Sequence, residues 1–315
     1  MNSTSLLNRR TILMAAAAGA SATLLQACGG GHDEPQRNIV ELAQANPDLS
    51  ILVEAVVAAG LAPTLSTGSL TVFAPTNAAF AALLTELGVT KDALLANKTL
   101  LTAVLTYHVL GTTVPRASVP LGKAITPVGG GFFKVEAAGA GLRITDGRNR
   151  TSNITATDIQ ASNGVVHLVD KVLLPADKNI VATASALPDF SILVEAVVAA
   201  GLVPTLQGAG PFTVFAPTNA AFAALLTELG VTKQALLANT ALLTSVLTYH
   251  VVPGRVLKAD VPVNTAITTV QGQTFTINAS LAITDSRGRQ SSIVATDVFT
   301  SNGVIHVVDK VLLPR

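Results

Sequence analysis

The sequence predicts an α+β fold built twice in tandem. Three observations carry this. The segment "TVFAPTNAAFAALLTELGVTK" occurs unchanged at Thr71–Lys91 and at Thr213–Lys233. Within each copy, apolar residues recur first at helical spacing, and Val-, Ile- and Thr-rich segments follow. Helices first and strands later argue for α+β rather than βαβ winding. Only Ala176-Asp177-Lys178 lies between the copies, which places two domains at roughly 38–175 and 179–315. A repeat near 140 residues is far too long for a solenoid. Each copy has its own helices and strands, so each is expected to fold as a unit.

The elements follow in order. "NRRTILMAAAAGASATLLQAC" carries Arg9 and Arg10, then an apolar run from Ile12 to Leu25, then Cys28. The run is short for a membrane span and reads as an export signal over 1–27. Its paired arginines resemble a twin-arginine signal. Leu25-Gln26-Ala27-Cys28 resembles a bacterial lipobox, which implies lipid attachment at Cys28. Residues 28–37, with "GGGHDEPQR", read as a flexible tether. "SILVEAVVAAG" is a helix, with Asp48 or Ser50 as its N-cap and Gly60 as its stop. "LTVFAP" is a short strand ended by Pro75. Thr76 caps "NAAFAALLTEL", which Gly88 stops, and Thr90 caps the helix after it. "TLLTAVL" continues helically. From "TYHVL" onward the texture is β, in "FFKVEAA", "LRITD", "SNITATDI" and "GVVHLVDKVLL".

Composition narrows the function. Hydrophobic residues make up 49% and charged residues 12%, enough for real cores and too little charge for a disordered tail. A formal net charge of +1 gives no field for nucleic acid. The single cysteine excludes an internal disulfide or a thiolate metal framework. No Gly-x-Ser-x-Gly, His-Glu-x-x-His or phosphate loop occurs, so no enzyme and no cofactor is expected.

Together "TVFAPTNAAF", "LTYHV" and "SNGVIHVVDKVLLP" resemble the two end motifs and the central Tyr-His motif of the fasciclin-type adhesion domain. The resemblance spans both copies. It implies a wedge of two packed β-sheets with helices along one edge, secretion or membrane anchorage, and a role in cell adhesion and matrix interaction. It links the Tyr-His region with integrin-type adhesion in animal members.

Two sets of residues are candidate sites. The chain's only tyrosines stand in Tyr107-His108 and Tyr249-His250. Placed on a strand, such neighbours point to opposite faces, so the pair is read as packing rather than as one contact site. The same alternation keeps the repeated His167-x-x-Asp170 and His306-x-x-Asp309 from converging on a metal. The loops "TDGRNR" and "TDSRGR" carry Arg148, Arg150, Arg287 and Arg289, candidate contacts to an acidic polymer. As exposed turn residues they are expected to change stability by less than about 0.5 kcal/mol when replaced. The expected function is a non-catalytic, lipid-anchored envelope protein. It would face the periplasm or lie on the cell surface, and bind a cell-surface or matrix protein or glycan. An extracytoplasmic binding protein for a small apolar ligand or an acidic saccharide is the alternative.

Overall fold

The computed structural model describes residues 36–315; the expected export signal, Cys28 and most of the expected tether fall outside the described residues. The first copy opens with α1 (Ile39–Ala45), α2 (Ser50–Ala58) and α3 (Ala62–Leu65). Strand β1 (Leu70–Pro75), α4 (Asn77–Leu87), α5 (Lys91–Ala96) and α6 (Lys98–Tyr107) follow. The strands β2 (Val109–Leu110), β3 (Ala124–Ile125), β4 (Phe133–Ala138), β5 (Gly141–Thr145), β6 (Thr151–Ala161) and β7 (Gly164–Val169) complete it.

The second copy repeats this order. Its helical half contains α7 (Ile180–Ser185), α8 (Ser191–Ala199), α9 (Val203–Leu206), β8 (Phe212–Pro217), α10 (Asn219–Leu229), α11 (Lys233–Ala238) and α12 (Thr240–Tyr249). Its strands are β9 (Val251–Pro253), β10 (Ala266–Thr268), β11 (Thr274–Ile277), β12 (Ala282–Thr284), β13 (Gln290–Thr300) and β14 (Gly303–Val308).

Local chemistry sets the helix ends. Thr76 and Thr90 accept from the amides of Ala79 and Ala93, as the sequence suggested. Gly88 closes α4 in the left-handed region at φ 63°, where a side chain would be strained. Two details differ from the sequence reading. Neither Asp48 nor Ser50 caps α2; the Asn77 side chain accepts from Ile51 N at 2.9 Å instead. Helix α1 was not foreseen, although Asn38 and Glu41 form a reciprocal capping box at its start.

Each copy holds a seven-stranded sheet, in the order β2-β1-β7-β6-β5-β4-β3 for the first and the equivalent order for the second. The outer ladders are antiparallel, while β1 pairs with β7 in parallel. Register shifts in β6, between Ile154 and Ile159, bend the sheet over itself. The two packed layers of the wedge are thus halves of one curled sheet. Strand alternation divides the side chains between two cores. Val72 and Ala74 of β1 join Leu52, Phe80 and Leu101 beneath the helices. Phe73 points the other way, to Phe133, Val135, Ile144 and Val169 inside the curl. The second copy repeats both cores.

The repeated Ser-Asn-Gly opens the last strand of each copy. The Asn163 side chain accepts from Ile39 N and donates to Leu65 O, joining α1, α3 and the sheet. Gly164 stands at φ 147°, and a Cβ there would lie 1.9 Å from the Leu70 carbonyl oxygen, so only glycine fits.

Candidate functional site

The Tyr-His motif does not lie on a strand. Tyr107 is the last residue of α6 and His108 is its C-cap, at φ −88° and ψ 0°. At a helix end successive side chains diverge by about 100° rather than 180°. Both rings therefore enter the interior, each into a different core. Tyr107 is 0% exposed and lies inside the curled sheet, its ring edge-on to Phe133 at 5.8 Å. Its hydroxyl donates to the Phe132 carbonyl. His108 faces the helix side. Its Nδ1–H donates to Val104 O at 2.7 Å, and its Nε2 accepts from Leu173 N at 2.8 Å. The ring thus satisfies a helix-end carbonyl and ties the closing segment to α6. Tyr249 and His250 repeat this, with Tyr249 donating to Thr274 O at 2.8 Å and accepting from Ser286 N at 2.9 Å.

Enclosure sets the titration of these groups. Burial, opposed weakly by backbone hydrogen bonds, lowers the His108 and His250 pKa values to about 4. Burial likewise raises both tyrosines above their ordinary value. None of the four presents a charge at neutral pH.

The arginine turns also face inward. Asp146 is buried at the centre of the first turn. Its Oδ1 accepts from Arg148 N and Arg150 N, and its Oδ2 accepts from Leu174 N and Arg150 Nε. Arg150 extends its fork to Glu86 at 2.8 Å and to the Val172 carbonyl. Asp285 and Arg289 reproduce the arrangement with Leu313 N, Val311 O and Glu228. Arg287 donates through Nε to Pro314 O at 2.7 Å. Arg148 pairs with Asp177 of the linker at 3.2 Å. Arg150 and Arg289 are therefore not free turn residues; each clamps the closing segment of its copy to a helix and a buried carboxylate. Arg150→Ser is expected to cost about 2 kcal/mol, the scale of charge-assisted hydrogen bonds, rather than the small change expected of an exposed turn. Chemical denaturation of the variant beside Arg143→Ser, on an exposed strand position, checks this.

The His-x-x-Asp pairs act within the sheet. His167 Nε2 donates to Val114 O at 3.0 Å and its Nδ1 accepts from Asp158 N, while Asp170 accepts from Ser152 Oγ and Asn153. Among the described residues no group of three His, Cys, Asp or Glu side chains could hold a metal ion.

The two copies dock largely through residues that they do not share. Phe132 and Ala124 of the first pack with Leu257, Phe299 and Val304 of the second, the phenyl centroids 4.6 Å apart. Arg255 lies 3.9 Å over the Phe132 ring. Asn149 brackets the Phe299 backbone with two hydrogen bonds, at 2.6 and 3.0 Å. Lys134 reaches Asp297 at 2.7 Å and Glu136 at 3.0 Å. Burial alone would lower the Lys134 pKa, but the bonds to Asp297 and Glu136 outweigh it and hold the ammonium above its ordinary value. At the equivalent positions the second copy has Thr274, Thr276 and Gly288 for Phe132, Lys134 and Asn149, and the first has Gln160 for Phe299. Sequence reading missed this interface because it followed what the copies share. The signal lay in where they differ.

The profile described as Fasciclin domain matches the chain twice, at residues 47–175 and 188–314. The chain belongs to the fasciclin domain family. Protein sll1483 of Synechocystis sp. is 41% identical over 150 residues, 47% of this chain and 79% of that protein. Transforming growth factor-beta-induced protein ig-h3 of Sus scrofa is 30% identical over 249 residues, 78% of this chain and 35% of that protein. This chain thus spans about a third of that larger relative. A solved fasciclin domain pair, from the insect cell adhesion molecule fasciclin I, aligns over 85% of this chain and 98% of its own, at 18% identity and a TM-score of 0.44. In both fasciclin domains here the repeated motifs are internal ties: Tyr-His at a helix end, Ser-Asn-Gly at a strand start, and Asp-x-Arg-x-Arg at the closing segment.

Proposed function

We propose that the chain is an exported, lipid-anchored adhesion protein of the cell envelope. It binds a cell-surface or matrix protein or glycan without catalysis. Membership of both halves in an adhesion-type domain family is the observation that carries this reading. The inward-facing Tyr, His and Asp groups support the absence of catalysis, because none converges with another on an open pocket. Among the described residues no helix is long and apolar enough to cross a membrane. The lipobox-like Leu25-Gln26-Ala27-Cys28 supports attachment through acyl chains on Cys28. The cavities near the helices, at about 30, 30, 60 and 160 Å³, are smaller than the roughly 300 Å³ at which ligand pockets begin. This favours a surface or cleft ligand over a small apolar one.

The test has two parts. Mass spectrometry of the native protein is expected to find an acylated N-terminal Cys28, and Cys28→Ser is expected to release the protein from membranes. The immobilised mature chain is expected to retain protein or glycan from envelope extract. A soluble, unmodified native protein removes the anchor from this reading, and an immobilised chain that retains nothing removes adhesion.

A further inference from the structure

The docked domains leave a cleft of about 910 Å³ between them. Strands β4 and β5 and the turn Asp146–Arg150 form one wall; the linker and the bulged part of β13 form the other. We propose that this cleft binds a segment of acidic polysaccharide, held by Arg143, Arg148 and Lys178. The proposal rests on the adhesion reading and gives it a place and a ligand class.

Charge is the first argument. Five cations line the cleft, Lys134, Arg143, Arg148, Arg150 and Lys178, against the carboxylates Glu136, Asp177 and Asp297. Lys134 is neutralised by Glu136 and Asp297, and Arg150 is engaged by Glu86 and Asp146. That leaves three cations facing Asp177 alone. Arg148 reaches Asp177 with one Nη, while its Nε is buried and has no partner among the described residues. Arg143 stands opposite Glu136 across the β4–β5 pair, but Glu136 turns to Lys134. Among the described residues neither Arg143 nor Lys178 has an acidic partner within 4 Å. Spaced, uncompensated cations in a concave surface attract an anion and focus its approach.

Size and lining give the second argument. The volume lies at the upper end of the roughly 300–1,000 Å³ range of ligand sites. A single small anion would leave most of it empty. Thr145, Thr151 and Thr183 place hydroxyls along the walls, and Leu187, 40% exposed, supplies an apolar face. A chain of sugars with acidic groups at intervals matches spaced cations, hydroxyls and a small apolar face together. The third argument is asymmetry. The second domain has Ala282 where Arg143 stands and Thr276 where Lys134 stands, so its own turn, with Arg287 and Arg289, carries no equivalent set. Binding is thereby confined to one of the two arginine turns.

Calorimetric titration of the full mature chain tests this, with an oligouronate and a sulfated oligosaccharide of equal length as probes. A neutral oligosaccharide and inorganic sulfate serve as controls. One acidic oligomer is expected to bind per chain, and the two probes tell carboxylate from sulfate recognition. Arg143→Ser with Lys178→Ser is expected to weaken binding at least tenfold and flatten its salt dependence, with a thermal melt unchanged from the parent chain. Arg287→Ser is expected to bind as the parent does. Parent-like binding by the double variant, equal weakening by Arg287→Ser, or sulfate binding as tightly as the oligomers would each overturn the proposal. Should neither acidic oligomer bind while the immobilised chain still retains envelope material, the cleft is not the site and the adhesion reading stands. Should the oligomers bind while envelope material is not retained, the adhesion reading fails instead.

Discussion

Alanine at Tyr107 or at Tyr249 is expected to lower stability by about 3–5 kcal/mol, the range for truncating a large buried aromatic ring. Each ring fills the interior of its curled sheet, and neither has exposed surface. Removing it opens a cavity beside Phe133 or Phe275, the rings it meets edge-on at 5.8 and 6.0 Å. It also orphans the carbonyl of Phe132 or Thr274, which accepts the hydroxyl. Phenylalanine separates the two contributions. It keeps the ring and loses one buried hydrogen bond, so Tyr107→Phe should cost only about 1–2 kcal/mol. Denaturant midpoints of the three variants, with surface adhesion measured on the same samples, check this. Tyrosine variants with parent-like stability and lost adhesion would make the motif a contact site.

Acid is expected to weaken both domains through His108 and His250. In the unfolded chain each titrates near pH 6.5. In the folded chain burial lowers each pKa to about 4, because the protonated ring is cut off from water. The Nε2 lone pair is also needed by Leu173 N or Leu312 N. Below pH 6.5 the unfolded chain takes up a proton that the folded chain refuses. The stability due to the neutral ring is thus complete above that value and is lost as pH falls toward 4. The gap of about 2.5 units corresponds to roughly 3 kcal/mol per histidine. His306, also lowered by burial, acts in the same direction. Urea unfolding at pH 7.5 and 4.5 should therefore show each domain losing about 2–3 kcal/mol. His108→Gln, which cannot take up the proton, should reduce that difference for the first domain while lowering its stability at pH 7.5. An unaltered pH dependence in the variant would assign the acid sensitivity to other groups.

The duplication, the α-then-β order, the caps at Thr76 and Thr90, and the stops at Gly60 and Gly88 are all legible in the amino-acid order. These are local features. A helix period, a strand alternation or a cap is written within a few residues, and an exact internal repeat reports two equivalent units. The family followed from three motifs in order, twice. The placement of the motif side chains did not follow, although a signal was present. Leu101, Val104 and Leu105 continue to His108 at helical spacing, which puts Tyr107 inside α6 rather than on a strand. What those side chains do depends on partners far along the chain. Tyr107 finds its acceptor at Phe132, 25 residues on, and His108 finds its donor at Leu173, 65 residues on. Arg150 meets Glu86, 64 residues back, and Lys134 meets Asp297, 163 residues away in the other domain. No periodicity encodes such meetings. They arise where the curled sheet and the docked copy bring distant segments together, and burial there turns residues that look like surface chemistry into internal ties.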